Sequence, residues 1–410
     1  MPAKGEDSTL RSKLKTVFLA TTVTLIAISL IIFPKESLDA STRGLELWWG
    51  IVFPTLLPFF IITELLIGFG VVKFIGVLLE PFMRPIFKVP GIGGFVWAMA
   101  MASGNPAGAK LTARMREEGN VSRIEAERLI SFTSGSNPLF IVSAVSVGFF
   151  HNIELGLILA VAHYGGNFFV GLLMRFYGRR NERLEREERS RLSIKAALIA
   201  LHKTRLNDKR PIGKLLGDAI INSIQTLLMI GGFIILFSVL NKILYLLNIT
   251  QFLASIIGVI FTLFSLPIEL TVPFISGLFE ITLGSQLISE IHQASLLQQA
   301  MIVSFILAFG GFSIHAQVAS IIAPTDIRFQ PFIVARIIHG FIAMFLTYLL
   351  WVPLYEDRIK GSFSDSSPVF NLINHQSAMD IILEYGPLFT IISLYLYILI
   401  YVKRSIHIWK

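Results

Sequence analysis

The chain has 410 residues, no cysteine and a formal net charge of +8, with 54% hydrophobic but only 15% charged residues. Soluble domains carry about 25% charged residues, so an ordinary soluble domain is excluded. The missing cysteine excludes disulfides, thiolate metal sites and cysteine nucleophiles. The basic residues cluster beside apolar segments, which fits a membrane-orientation signal and not a nucleic-acid surface.

In chain order, residues 1–43 hold a basic tail and the run "KLKTVFLATTVTLIAISLIIFPKES". The run is long for a signal peptide and no small-x-small cleavage site follows, so it reads as an uncleaved anchor helix. Segments that can cross a bilayer are about 16–33, 47–70, 126–150, 153–175, 216–240, 296–322, 331–354 and 381–402. Two shorter pieces, about 71–88 and 250–266, each precede a broken segment, about 90–116 and 267–292. Lys73, Glu80, Arg84 and Lys88 suit 71–88 to an interfacial helix. The linker 176–215 is strongly basic and so cytoplasmic. Eight crossings put both termini on that same side, with 355–410 holding an external loop and a last transmembrane helix.

A shift of 173 residues lays Ser103-Gly104 on Ser276-Gly277 and Ser131-Phe132 on Ser304-Phe305. The order of elements repeats too: long span, short helix, broken segment, polar-centred span, span. The first copy, 44–175, opens with a helix running inward. The second, 216–354, opens after the cytoplasmic linker and runs outward. The expected fold is therefore an all-α polytopic membrane protein with inverted structural repeats, two re-entrant helical hairpins and two unwound transmembrane helices. Such repeats mark secondary transporters, with the site at the midplane between copies.

Four breaks carry the candidate binding residues. Irregular backbone at membrane depth is tolerated only where it is buried or lines a cavity. In 103-SGNPAGAK-110 the candidates are Ser103, Gly104, Asn105, Pro106 and Lys110; glycine permits a tight tip and proline starts the returning helix. In 276-SGLFEITLGSQ-286 they are Ser276, Gly277, Glu280 and Thr282, and Glu280 is the lone acid there. In 133-TSGSNPLF-140 they are Ser134, Gly135 and Asn137, and in 309-FGGFSIHAQVAS-320 they are Gly310, Gly311, Ser313, His315 and Gln317. Small residues of this kind also serve plain helix packing, Pro138 also reads as a kink, and His315 also reads as an interhelical hydrogen-bonding group. His163, Arg336 and His339 read as bundle contacts, with Arg336 long enough to snorkel to the cytoplasmic face. Lys110 and Glu280, opposite charges on matched tips, are expected to pair directly or through water; the alternatives are that Glu280 binds a proton or cation and that Lys110 snorkels to the interface. No catalytic residues are assigned: HExxH and GxSxG are absent, as are paired intramembrane acids. No metal site or cofactor is expected.

These breaks also carry a family likeness. "FGGFSIHAQVAS" resembles the unwound late helix of concentrative nucleoside transporters. The paired hairpins and broken spans are similar to the nucleoside-recognition Gate domain shared with ferrous-iron transport proteins. "MASGNPAGAKLTARMREEG", "FTSGSNPLFI" and "LLPFFIITELLIGFGVVKFIGVLLEPFMRPIFKVPGIGGF" resemble a family of sporulation integral membrane proteins over most of the chain. That resemblance implies a role in spore formation, moving dipicolinic acid from the mother cell across the outer forespore membrane. Nucleoside transporters carry a Gln-Thr-Glu-type motif in the first hairpin; the matching tip here is "SGNPAGAK", with a lysine and no acid. A helix N-terminus and an ammonium favour an anionic solute, and dipicolinate is a flat dianion. A carrier of nucleosides or other small solutes and a membrane assembly factor without transport stay open as alternatives. So do passive flow, proton coupling and sodium coupling. The expected partners are the lipid bilayer and a small anion, with no nucleic acid; a homo-oligomer is compatible with the chain.

Overall fold

The computed structural model describes residues 6–178, 194–208, 210–358 and 393. Every regular element among the described residues is helical. In chain order they are α1 (Glu6–Ile32), α2 (Pro34–Leu47), a π-helical turn at Trp48–Val52, α3 (Phe53–Gly68), α4 (Val71–Phe87), α5 (Ile92–Ser103), α6 (Ala107–Glu117) and α7 (Arg123–Thr133). A π-helical segment, Phe140–Phe149, leads to α8 (Glu154–Met174) and α9 (Ile194–Asn207). Then follow α10 (Ile212–Leu246), α11 (Ile249–Leu263), a 3-10 turn at Ile268–Leu270, α12 (Thr271–Phe279), α13 (Ile281–Ser289), α14 (Leu296–Phe309), α15 (Gly311–Ile322) and α16 (Gln330–Trp351), which ends in a π-helical turn, Val352–Glu356.

Five stretches among the described residues are long and apolar enough to cross a bilayer: Lys13–Ile32, Glu154–Met174, Ile212–Leu246, Leu296–Ile322 and Gln330–Glu356. This is a polytopic, all-helical membrane protein. The helix α1 exposes Val17, Phe18 and Ile31 to its surroundings, as a lipid-facing anchor does. A bend of 81° separates α3 from α4, so 71–88 leaves the direction of the preceding span, as its charges suggest. The segment 126–150 is not one helix, because α7 stops at Thr133 and the chain resumes at Phe140. The last crossing at 381–402, most of 355–410 and part of the basic linker lie outside the described residues.

The order short helix, helix–break–helix, capped helix, break, helix, long span holds for α4 to α8 and again for α11 to α16. Both capped helices use the same device. Ser122 accepts from Glu125 N and donates its own N–H to the Glu125 carboxylate, at 3.3 and 2.8 Å. Ser295 and Gln298 do likewise at 3.3 and 2.9 Å. This reciprocal box meets two otherwise orphaned helix donors.

The core centres on α14, held between α8 and α16. Ile302 to Phe309 are all buried, so this helix meets protein on every side. At one end, Arg116 binds Asp326 at 2.8 Å, and Arg328 binds Glu127 and the Tyr177 hydroxyl at 2.8 and 2.7 Å. The loop after α15 is thereby clamped onto α6 and α7. The Arg116 hydrogen bond holds the Asp326 carboxyl below its ordinary range.

The α12–α13 pair closes so tightly that a Cβ on Gly284 would overlap Gly277 Cα. Gly284→Val is therefore expected to destabilise the fold by about 3 kcal/mol, because backbone has to move to admit it. Thermal unfolding in detergent reads this directly, and a wild-type transition would show that the two helices separate freely.

Candidate functional site

The four breaks meet at one cavity of about 360 Å³. Ser103, Gly104 and Asn105 come from the α5–α6 tip, and Ser136 and Asn137 from the gap after α7. Glu280, Ile281 and Thr282 come from the α12–α13 tip, and Gly310, Ser313 and Gln317 from the α14–α15 break. Leu56 on α3 and Ile230 and Ile234 on α10 complete an apolar wall.

Each break has a local cause. Gly310 and Gly311 lie at φ of 90° and 68°, a consecutive left-handed pair that side chains with a Cβ resist. The Asn137 side chain bridges two breaks: it donates to Ser103 O at 3.1 Å and accepts from Phe140 N at 2.7 Å. On the other side, Asn241 of α10 donates to Ser276 O at 3.2 Å. Glu280 caps α13, accepting from Thr282 N at 3.0 Å and Leu283 N at 2.7 Å. Three buried polar atoms at the cavity have no protein partner: Ser103 Oγ, Asn105 Oδ1 and Ser136 Oγ. Buried polar atoms are nearly always hydrogen-bonded, so these suit a polar solute.

Behind the breaks lies a buried polar core. Arg336 donates to Ser131 O and Ser134 O at the end of α7, to Ala308 O near the end of α14 at 3.4 Å, and to Asn167 Oδ1 at 3.0 Å. Its charge thus meets the negative ends of two helix dipoles. No carboxylate pairs with it among the described residues. His339 donates through Nε2 to His163 O at 2.8 Å, and its Nδ1 lies 3.1 Å from both Arg336 and Ala308 O. His163 accepts from Ser136 N at 3.0 Å. Arg336 is therefore an internal pin; the expectation that it snorkels to the cytoplasmic face is corrected, because helix-end carbonyls supply a nearer partner than water.

Of the candidates, Ser103, Gly104, Asn105, Asn137, Glu280, Thr282, Gly310, Ser313 and Gln317 line the cavity. Pro106 caps α6, and Ser134 and Gly135 lean back on Arg336 and His163. Ser276 accepts from Asn241, and Gly277 and Gly311 pack against neighbouring backbone and side chains. His315 hydrogen-bonds Phe309 O at 2.8 Å among the rings of Phe309, Phe312 and Phe332. Lys110 meets Thr226 Oγ1 at 2.7 Å and Glu64 at 3.7 Å, while Glu280 is engaged by its own helix. The expected Lys110–Glu280 pair is thus replaced: Lys110 sits one turn beyond the tip and faces α3 and α10. Sequence reasoning missed Ser136, Glu64, Thr226 and Asn241. The signal for Glu64 was an acid inside the apolar run 47–70.

Across 403 residues the chain is 54% identical to the sporulation integral membrane protein YlbJ of Bacillus subtilis (strain 168), covering 96% of this chain and 97% of that protein. The chain belongs to the YlbJ family of sporulation integral membrane proteins. A family model described as Gate, nucleoside recognition, matches residues 49–151 and again 227–325. Between them the two Gate matches take in all four breaks. No solved structure matches the chain. Neither description is that of an enzyme.

Proposed function

We propose that this YlbJ-family chain is a membrane carrier for a small anionic solute, and that the solute is dipicolinate, moved across the outer forespore membrane from the mother cell. The observation that carries the reading is the convergence of four polar breaks on one cavity with three unpartnered polar atoms. Its volume lies near the lower end of small-molecule sites, about 300–1,000 Å³. In this reading 44–175 and 216–354 are inverted copies. Their hairpins, α5–α6 and α12–α13, are re-entrant from opposite faces, and both termini are cytoplasmic. Two matches to one family model and two capping boxes 173 residues apart support the copies. The first hairpin turns the positive end of α6 toward the cavity wall, which favours an anion.

A nucleoside carrier is favoured by one specific observation, the acid Glu280 in a domain described as nucleoside recognition. Uptake of radiolabelled dipicolinate and nucleosides into proteoliposomes separates the two. Saturable dipicolinate uptake supports the proposal. Nucleoside uptake alone, or none of either, overturns it.

Ser136→Ala tests the cavity itself. The hydroxyl has no protein partner, so unfolding should change by less than about 1 kcal/mol, while the half-saturating solute concentration should rise about tenfold. Unaltered transport would remove Ser136 from the solute's surroundings.

A further inference from the structure

A second polar layer stands beyond the cavity, between α3, α6 and α10. Leu56 and Ile230 line the cavity. The next residues on the same faces, Phe60, Ala107 and Leu227, pack in one apolar cluster with them. Beyond them stand Glu64, one turn past Phe60 and roughly 12 Å from Leu56 at 1.5 Å per residue, Lys110 and Arg114, one and two turns past Ala107, and Thr226, next to Leu227. The three helices leave the cavity toward the same end, so this layer covers one approach to it.

The layer is built around a carboxylate. Glu64 accepts from Arg114 at 2.6 Å and lies 3.7 Å from Lys110 Nζ. Lys110 also donates to Thr226 Oγ1 at 2.7 Å and lies over the Phe60 ring; Arg114 also donates to Glu118 at 3.0 Å. Side-chain exposure climbs from 10% at Glu64 to 24% at Lys110, 30% at Arg114 and 40% at Glu118, so the layer opens to water on the side away from the cavity. Two cations converge there on one shielded acid.

We propose that this layer is a docking site for the carboxylate of a small dicarboxylate, and that Glu64 holds it closed as a built-in competitor. An arriving carboxylate displaces Glu64 from Arg114 and Lys110 and takes over its hydrogen bonds. One carboxylate replaces another, so the two half-buried cations stay paired throughout, which avoids the cost of stranding them. Phe60 and Leu227 are the apolar step between this site and the cavity. The inference rests on the anion-carrier reading and adds the residues that select the charge.

The test uses purified full-length protein, with dipicolinate and the nitrogen-free analogue benzene-1,3-dicarboxylate as probes. Two readouts are taken: uptake into proteoliposomes and thermal unfolding in detergent. Glu64→Gln removes the competitor and keeps both cations. It should lower the half-saturating dicarboxylate concentration about tenfold and enlarge the ligand-induced rise in unfolding temperature. Adding Lys110→Gln should cancel both gains. A folded Glu64→Gln protein that dicarboxylate stabilises no more than wild type overturns the proposal, even if wild type carries dipicolinate. Wild type without uptake, beside a Glu64→Gln protein stabilised through Lys110, keeps the docking site and sinks the carrier reading. If Glu64→Gln does not fold, Glu64→Asp serves as the shorter, weaker competitor. It should show the same direction of change, and a wild-type response would equally overturn the proposal.

Discussion

Replacing Arg336 by methionine is expected to cost about 3–5 kcal/mol of stability and to lower solute uptake more than a hundredfold. Methionine keeps much of the length and apolar stem but none of the donors. Ser131 O, Ser134 O and Ala308 O would then lie buried near the ends of α7 and α14 with no cation to meet them. The two breaks that follow these helix ends both line the cavity, so the loss reaches transport as well as folding. Arg336→Lys should recover little, since an ammonium is a point donor and cannot span carbonyls on two helices as the planar guanidinium does. Thermal unfolding and uptake on the same preparations decide the matter. Wild-type values for Arg336→Lys would refute the argument from fork geometry.

Glu280→Gln should act in the opposite sense on binding. The carboxylate is the one charged group lining the cavity among the described residues, and it faces the site proposed for a dianion. Like charges in a low-dielectric cleft repel by several kcal/mol, so the neutral variant should bind the dianion at least tenfold more tightly. The amide retains one acceptor for the α13 cap, limiting the stability loss to about 1 kcal/mol. A proton or sodium ion that neutralises Glu280 when the dianion arrives would couple the two fluxes. The variant should then fail to accumulate solute against a gradient and lose the dependence on pH or sodium. A Glu280→Gln protein that accumulates dipicolinate as wild type does, with the same affinity and pH profile, would reduce Glu280 to a helix cap.

The breaks were legible because Gly, Pro, Ser and Asn interrupt apolar runs, and lipid tolerates such backbone only where protein covers it. Their convergence was an expectation drawn from the shared shift. Which side chains face the cavity was less legible, though helical period carried part of it. Ser313 and Gln317 are four residues apart and share a face, while His315 lies between them on the other side, toward Phe309. Ser136 was lost among three serines and a glycine, any of which reads as packing. The partner of Lys110 was misread because positions matched by a shift along the sequence say nothing about the direction of a side chain one turn further on. Glu64 decides that direction, and it sits in a run that otherwise reads as unbroken membrane span.

His163 and Arg336 stand 173 residues apart and meet the same buried core with different chemistry. His163 accepts from the gap after α7, while Arg336 donates to the ends of two helices. The roles cannot be exchanged. Two arginines would set like charges side by side in the core, and two histidines would leave helix-end carbonyls without a cation. The core is thus held by an unlike pair, and any variant that makes the two positions alike loses one of the two chemistries.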